Sequence, residues 1–303
     1  ERLASLPPKF LVKERLPRAV VINADDPYGV YYAEAACPAD VRWYGIKDQR
    51  GLQAQDVEER ADGSCFTVRG IRARVQLPGR YNIENALAAL ATVEACGVDL
   101  ARAAERIALV TRVPGRFDRV EVGQPWTAII DYAPEPESFR RLYETLSLLP
   151  HKRFIHVLGS CGGGRDVSRR PVLGRMAAER ADIVIVTNED PYDDDPQKII
   201  DDVADGAVKA GKKDDENLFR ILDRREAIFF TMRLAHAGDV VVMTGKGAET
   251  WICAKNGKKI PWDEFAVARE AVVEALDHAR SGNVRIKTGN VKTQNPELGT
   301  PDD

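Results

Sequence analysis

Two periodicities divide the chain. In its first part Arg18 to Asn23, Val41 to Ile46, Cys65 to Val68 and Ile71 to Leu77 are β-rich runs bounded by Asp, Gly and Pro, the pattern of short strands. From Asn82 to Cys96 the period changes. Ile83, Ala86, Leu87, Leu90 and Val93 recur at three- and four-residue steps, which predicts a helix with one apolar face, and Gly97 is placed to end it. A second helix is expected from about Leu100 to Leu109, followed by a turn at Val113 to Arg116 that marks a domain boundary.

Beyond Phe117 apolar runs alternate with amphipathic stretches. TAIIDYA, FIHVLG, DIVIVT, LFRIL and DVVVMTG read as strands; the segment around Phe139, Leu142 and Leu146, RRPVLGRMAAERA, and the segments starting at Pro196 and Arg224 read as helices. Unbroken Val/Ile runs between helices belong to a parallel sheet covered on both faces. The expected architecture is an α/β domain over residues 1–112, a Rossmann-like, mostly parallel α/β domain over 113–280, and a polar tail at 281–303 that reads as disordered.

Composition narrows the function classes. The 303 residues have room for two domains, and 44% hydrophobic against 30% charged residues describes a chain that buries a core. With 44 Lys+Arg and 47 Asp+Glu, a polycationic nucleic-acid binder is excluded. No apolar run approaches the roughly 18 residues of a membrane span, so a soluble cytoplasmic protein with neither membrane nor nucleic-acid partner is expected. Five cysteines without a C-x-x-C pair and four scattered histidines point to neither a disulfide framework nor a zinc site.

In an open α/β sheet, ligands sit beyond the carboxyl ends of the strands. Four loops occupy such places: DYAPEPES (Asp131 to Ser138), GSCGGGRDVSRRP (Gly159 to Pro171), TNEDPYDDDP (Thr187 to Pro196) and TGKGAET (Thr244 to Thr250). The glycine-rich loop leads into a helix, where backbone N–H groups approach an anion, and Arg165, Arg169 and Arg170 add guanidinium groups; its spacing matches neither common phosphate-loop motif, and a plain tight turn is the alternative. The acidic loop admits a metal, an ammonium group or a solvated helix start; Asp193 to Asp195 suit the helix dipole, leaving Glu189 and Asp190 as the better ligand candidates. In the last loop Lys246 is a candidate to neutralise a phosphate and Glu249 to accept from an amine.

These loops, taken in order with INADDP (Ile22 to Pro27), GRYNIENALAA (Gly79 to Ala89) and VPGRFD (Val113 to Asp118), resemble the Mur ligase family. The last four motifs are similar to that family's DYAHTPD, GCGGDRDKGKRP, VTDDNPR and GKGHE, and differ from them at Pro134, Asp190, Tyr192 and Ala248. The resemblance is strongest to the branch that adds the third amino acid to UDP-N-acetylmuramoyl-L-alanyl-D-glutamate in peptidoglycan biosynthesis. It implies an ATP- and Mg2+-dependent amide ligase working through an acyl phosphate, with the nucleotide-sugar dipeptide and an amino acid as substrates and a monomer as the working form. Residues 1–112 would then be the later part of the central, ATP-binding domain. The family's G-T-x-G-K-T loop and magnesium ligands are not in this sequence, so the 303-residue chain reads as a fragment without ligase activity of its own.

Carried over by motif position, Asn82 and Asn85 lie near the adenine, and Arg116 and Asp131 reach the nucleotide. Arg170, Gly245 and Glu249 meet the incoming amino acid, while Asp190 and Tyr192 stand where its identity is set. Lys9 is the candidate for the carbamylated lysine that binds a second magnesium. Tyr192 in place of the family's arginine predicts a diamino acid such as lysine or ornithine rather than diaminopimelate. Two other readings remain: a ligase similar to cyanophycin or folylpolyglutamate synthetases, and a non-catalytic Rossmann-like binding module.

Overall fold

The structure, a computed structural model, describes residues 18–37 and 39–281. Lys9 and all of the expected tail except Ser281 lie outside the described residues. The described residues divide into two compact units, one of those up to Arg112 with Glu144–Leu149, the other of Val113–Tyr143 and those from Pro150 to Ser281.

In the first unit β1 (Ala19–Asn23), β2 (Asp40–Gly45) and β3 (Leu52–Gln53) form a parallel sheet, with α1 (Gly29–Ala35) between the first two strands. A separate antiparallel meander follows: β4 (Gln55–Arg60), β5 (Gly63–Val68) and β6 (Ile71–Val75). Helix α2 (Arg80–Ala95) buries Ile83, Ala86, Leu87, Leu90 and Ala91 in a core with Leu52, Phe66, Val68 and Val75. Gly97 closes it at φ +82°, where Val98 N–H reaches back to the Val93 carbonyl. Asp99 caps α3 (Leu100–Ile107) by accepting from Arg102 N–H. The INADDP motif joins strand ends. The Asp25 carboxylate accepts from the N–H groups of Ile46, Lys47 and Asp48; burial alone would raise its pKa, but these donors hold it below the ordinary value.

The second unit has a six-stranded sheet in the order β11-β10-β9-β12-β8-β7. Its strands are β7 (Asp118–Val120), β8 (Thr127–Asp131), β9 (Phe154–Leu158), β10 (Ile183–Thr187), β11 (Leu218–Ile221) and β12 (Val240–Thr244). All pairs are parallel except β7 with β8, so the expected Rossmann-like sheet is present with one antiparallel edge strand. That edge was not foreseen: three residues around Val120 are too few to show alternation. Helices α4 (Pro136–Leu146, of which the part up to Tyr143 belongs here), α5 (Arg169–Arg180), α6 (Pro196–Lys209), α7 (Arg224–Leu234) and α8 (Glu264–Arg280) complete the unit with a small hairpin of β13 (Trp251–Cys253) and β14 (Lys259–Pro261). Residue Asp195 caps α6 and Pro196 opens it, the solvated helix-start role expected of that carboxylate. Gly174 and Gly206 let α5 and α6 meet backbone to backbone: a Cβ on Gly174 would lie 1.8 Å from the Val203 carbonyl oxygen. No helix among the described residues is long and apolar enough to cross a membrane.

One polar group is buried in the middle of this sheet. His156 on β9 is sealed from solvent, its Nδ1 2.9 Å from the Tyr143 hydroxyl and its Nε2 3.0 Å from Thr244 Oγ1. Burial lowers its pKa from 6.5 to about 3. The unfolded chain therefore takes up a proton below pH 6.5 that the folded chain refuses until about 3, so stability present above pH 6.5 drains away as pH falls. The loss is about 1.4 kcal/mol per unit, or roughly 2 kcal/mol between pH 7 and 5. Urea unfolding at the two pH values should show this slope in the wild type and a flatter one in His156→Gln; equal slopes would remove His156 as the cause.

Candidate active site

The parallel strands end on one side of the sheet, and the loops that follow β8, β9, β10 and β12 carry the four motifs. Because β9 lies between β10 and β12, the chain leaves it in one direction and returns on the other side, and the loops beside it border the crevice typical of such a reversal.

The centre of the cluster is a buried lysine. Lys246, 1% exposed, donates through Nζ to Asp190 Oδ1 at 2.8 Å and to Glu249 Oε2 at 2.7 Å. Burial would lower its pKa, but the two carboxylates more than offset this and raise it, so the lysine is charged. Both hydrogen bonds go to carboxylates, which corrects the expectation that Lys246 neutralises a phosphate. Asp190 Oδ1 also accepts from Cys253 N–H at 2.7 Å, and Tyr192 N–H donates to the Cys253 carbonyl at 3.0 Å. The β13–β14 hairpin thus anchors the whole Asp190–Tyr192 segment. A third tie runs from Asn256 N–H to Asp193 at 2.8 Å.

The glycines of the loop after β9 admit the neighbouring loop rather than an anion, a second correction. A Cβ on Gly162 would stand 2.2 Å from the Pro191 carbonyl oxygen, and one on Gly163 would stand 2.7 Å from the Tyr192 ring. Gly162 N–H donates to the Asp190 carbonyl at 2.8 Å. Two of the arginines are engaged as well: Arg169 pairs with Glu135, and Arg170 bonds to Asp202 at 3.0 Å and to the Cys161 carbonyl at 3.1 Å. Arg170, 3% exposed, therefore builds the loop, and its predicted contact with an amino acid is not made by an outward-facing side chain. Among the described residues, Ser160 Oγ just beyond β9 and Thr187 Oγ1 at the end of β10 are buried without a hydrogen-bond partner.

Glu189 fills the space between these loops. It accepts from the Cys161 thiol at 2.9 Å, and its Oε2 lies where a Cβ on Gly245 would come within 2.2 Å, so at φ +105° Gly245 is fixed as glycine by both conformation and space. Burial raises the Glu189 pKa, against the opposing influence of Cys161, Arg224 and Lys246. Tyr132, after β8, has its hydroxyl pushed up by burial and by Glu249.

Arg116 is exposed, with its guanidinium 4.4 Å from the centre of the Tyr132 ring. Asp131 sits behind it. Its two oxygens accept from Phe117 N–H at 2.7 Å and Ala133 N–H at 2.9 Å, and burial raises its pKa. Both oxygens serve the backbone, so Asp131 holds the turn that presents Arg116 and does not fit the direct nucleotide contact predicted for it. In the first unit, Asn82 is buried and spends its amide on the Pro78 carbonyl at 2.8 Å, while Asn85 is exposed. The exposed Arg116 fits a phosphate-bearing ligand. For a metal the described residues offer no group of three or more His, Cys, Asp or Glu side chains, and Lys9 lies outside them.

Comparison with known proteins places this fold in a family. The families described as Mur ligase middle domain and as Mur ligase, glutamate ligase domain match residues 9–93 and 115–247. The chain is 39% identical over 265 residues to the UDP-N-acetylmuramoyl-L-alanyl-D-glutamate–2,6-diaminopimelate ligase of Geobacillus thermodenitrificans, covering 86% of this chain and 53% of that protein. It is 38% identical to the UDP-N-acetylmuramyl-tripeptide synthetase of a Roseiflexus species, covering 85% of this chain and 51% of that one. Among solved structures, a UDP-N-acetylmuramoyl-L-alanyl-D-glutamate–2,6-diaminopimelate ligase superposes with a TM-score of 0.53 at 28% identity, over 86% of this chain and 54% of its own. The chain thus spans about half the length of the curated relatives it matches. With both family domains matched in order along one chain, the protein belongs to the Mur ligase family.

Proposed function

We propose that the whole protein is a cytoplasmic, ATP-dependent amide ligase that adds an amino acid to UDP-N-acetylmuramoyl-L-alanyl-D-glutamate, and that the second unit of this chain receives the amino acid. The observation that carries the reading is the Lys246–Asp190–Glu249 cluster at the strand ends of a sheet of this family's fold, in a chain 38–39% identical to two ligases of that substrate class. ATP supplies the phosphoryl group that converts the dipeptide carboxylate to an acyl phosphate, with Mg2+ as the expected counter-ion. This chain's own residues serve the second half of the reaction. Glu249 accepts from an ammonium group of the amino acid, Tyr192 covers its far end, and Arg116 meets the charge of the nucleotide.

Charge placement and orientation, rather than a protein nucleophile, accelerate such a transfer. The test is ADP release by the purified whole protein, working as a monomer. Sustained release is expected only when both the nucleotide-sugar dipeptide and an amino acid are present, because without the amine the acyl phosphate stays on the protein after one turnover; multiple-turnover release that needs no dipeptide would contradict the proposal.

A further inference from the structure

We propose that Lys246 is a positioning residue for the incoming amino acid and acts through Glu249; the inference rests on the ligase reading above. The two carboxylates that share its ammonium group differ in access. Asp190 is 6% exposed and has Oδ1 occupied by both Lys246 and Cys253 N–H, whereas the Glu249 side chain is 40% exposed. Glu249 is the one that reaches a ligand.

Lys246 fixes it twice. Its Nζ holds Glu249 Oε2 at 2.7 Å, and its carbonyl accepts Glu249 N–H at 2.9 Å in a turn that Gly247 makes possible at φ +52°. A free glutamate loses rotamer entropy when a ligand orders it, and one already held loses less. Charge adds a second effect. The three side chains carry one positive and two negative charges, so a single net negative charge faces an ammonium group. Without Lys246 the buried Asp190 would lose the cation hydrogen-bonded to it.

Because that loss would also strain folding, the test uses the whole protein in an Asp190→Asn background, where the amide oxygen can still accept Cys253 N–H. Lys246→Met, Glu249→Gln and the two together are compared by steady-state kinetics and thermal melting. Each single change should raise the amino-acid KM about tenfold, with the KM for ATP and for the nucleotide-sugar dipeptide within about twofold, and the pair should raise it no further than either alone. An unchanged amino-acid KM in Lys246→Met, multiplying effects in the pair, or failure of Lys246→Met to fold in this background would each overturn the proposal. If the unsubstituted protein forms no amide with any amino acid, the ligase reading itself fails; if it does and the KM pattern is absent, only the role of Lys246 fails.

Discussion

Replacing Arg224 with methionine is expected to lower the stability of the second unit by about 3–5 kcal/mol, the usual cost of leaving one partner of a buried ion pair alone. Arg224 and Glu264 are 2% and 1% exposed and share two hydrogen bonds, 2.9 and 2.6 Å long. The same guanidinium donates to the carbonyls of Asn188 at 3.2 Å and Thr244 at 2.8 Å, so one side chain ties together the loops that follow β10 and β12. Trp262 Nε1 donates to Glu264 from the other side at 2.6 Å. The variant would leave the carboxylate and two carbonyls without their arginine. For a domain of this size the melting temperature should fall by roughly 6–20 °C. Arg224→Met with Glu264→Gln should recover part of that loss, because no buried charge remains unpaired. A fall of less than about 1 kcal/mol in the single variant, measured by urea unfolding, would show that the pair does not carry this load.

The second large effect is on choice of amino acid. The whole protein should prefer lysine or ornithine to meso-diaminopimelate by about tenfold to a hundredfold in kcat/KM, the worth of one charge-assisted contact of roughly 1.5–3 kcal/mol. Diaminopimelate differs from lysine by a carboxylate at the far end, and the family's pattern meets that end with an arginine. In the proposed reading that place falls to Tyr192, held at φ +51° by its bond to Cys253 and laid on Gly163. Its hydroxyl pKa is raised, chiefly by the Cys253 thiol and then by burial, so it carries no charge near neutral pH and offers a carboxylate no cation.

In the proposed reading the ammonium group is met by Glu249, which is 40% exposed, and not by the buried Asp190, although both bond to Lys246. Tyr192→Arg should therefore shift the ratio toward diaminopimelate while leaving the KM for ATP in place. A wild-type preference for diaminopimelate, the substrate in the name of the Geobacillus relative, would overturn the assignment.

Much of the fold was legible because burial writes itself into apolar spacing. FIHVLG, DIVIVT and DVVVMTG pair within one sheet, and the helix face of Ile83, Ala86, Leu87 and Leu90 is buried as its period implied. The placement of the four candidate loops was legible for a related reason: each follows an apolar run that proves to be a strand of the doubly wound sheet. Side-chain partners were not legible. Nothing in the string GKGAET says that its lysine turns inward to Asp190, 56 residues earlier in the chain, or that the glycines of GSCGGG make room for Pro191 and Tyr192. Those facts depend on which strands are neighbours. The hairpin around Ile252 and Ile260, the edge strand at Asp118–Val120 and the Arg224–Glu264 strut escaped for the same reason, each being short or formed by residues far apart in sequence.

In the proposed reaction a carboxylate is activated by phosphorylation before the amide forms. The direct measurement supplies the whole protein with ATP, lysine and UDP-N-acetylmuramoyl-L-alanyl-D-glutamate carrying 18O in its reacting carboxylate, and determines the mass of the phosphate released. An acyl-phosphate ligase transfers one labelled oxygen to phosphate for each amide bond made, and that is the expected result. Unlabelled phosphate, with or without amide product, would contradict the proposed reaction.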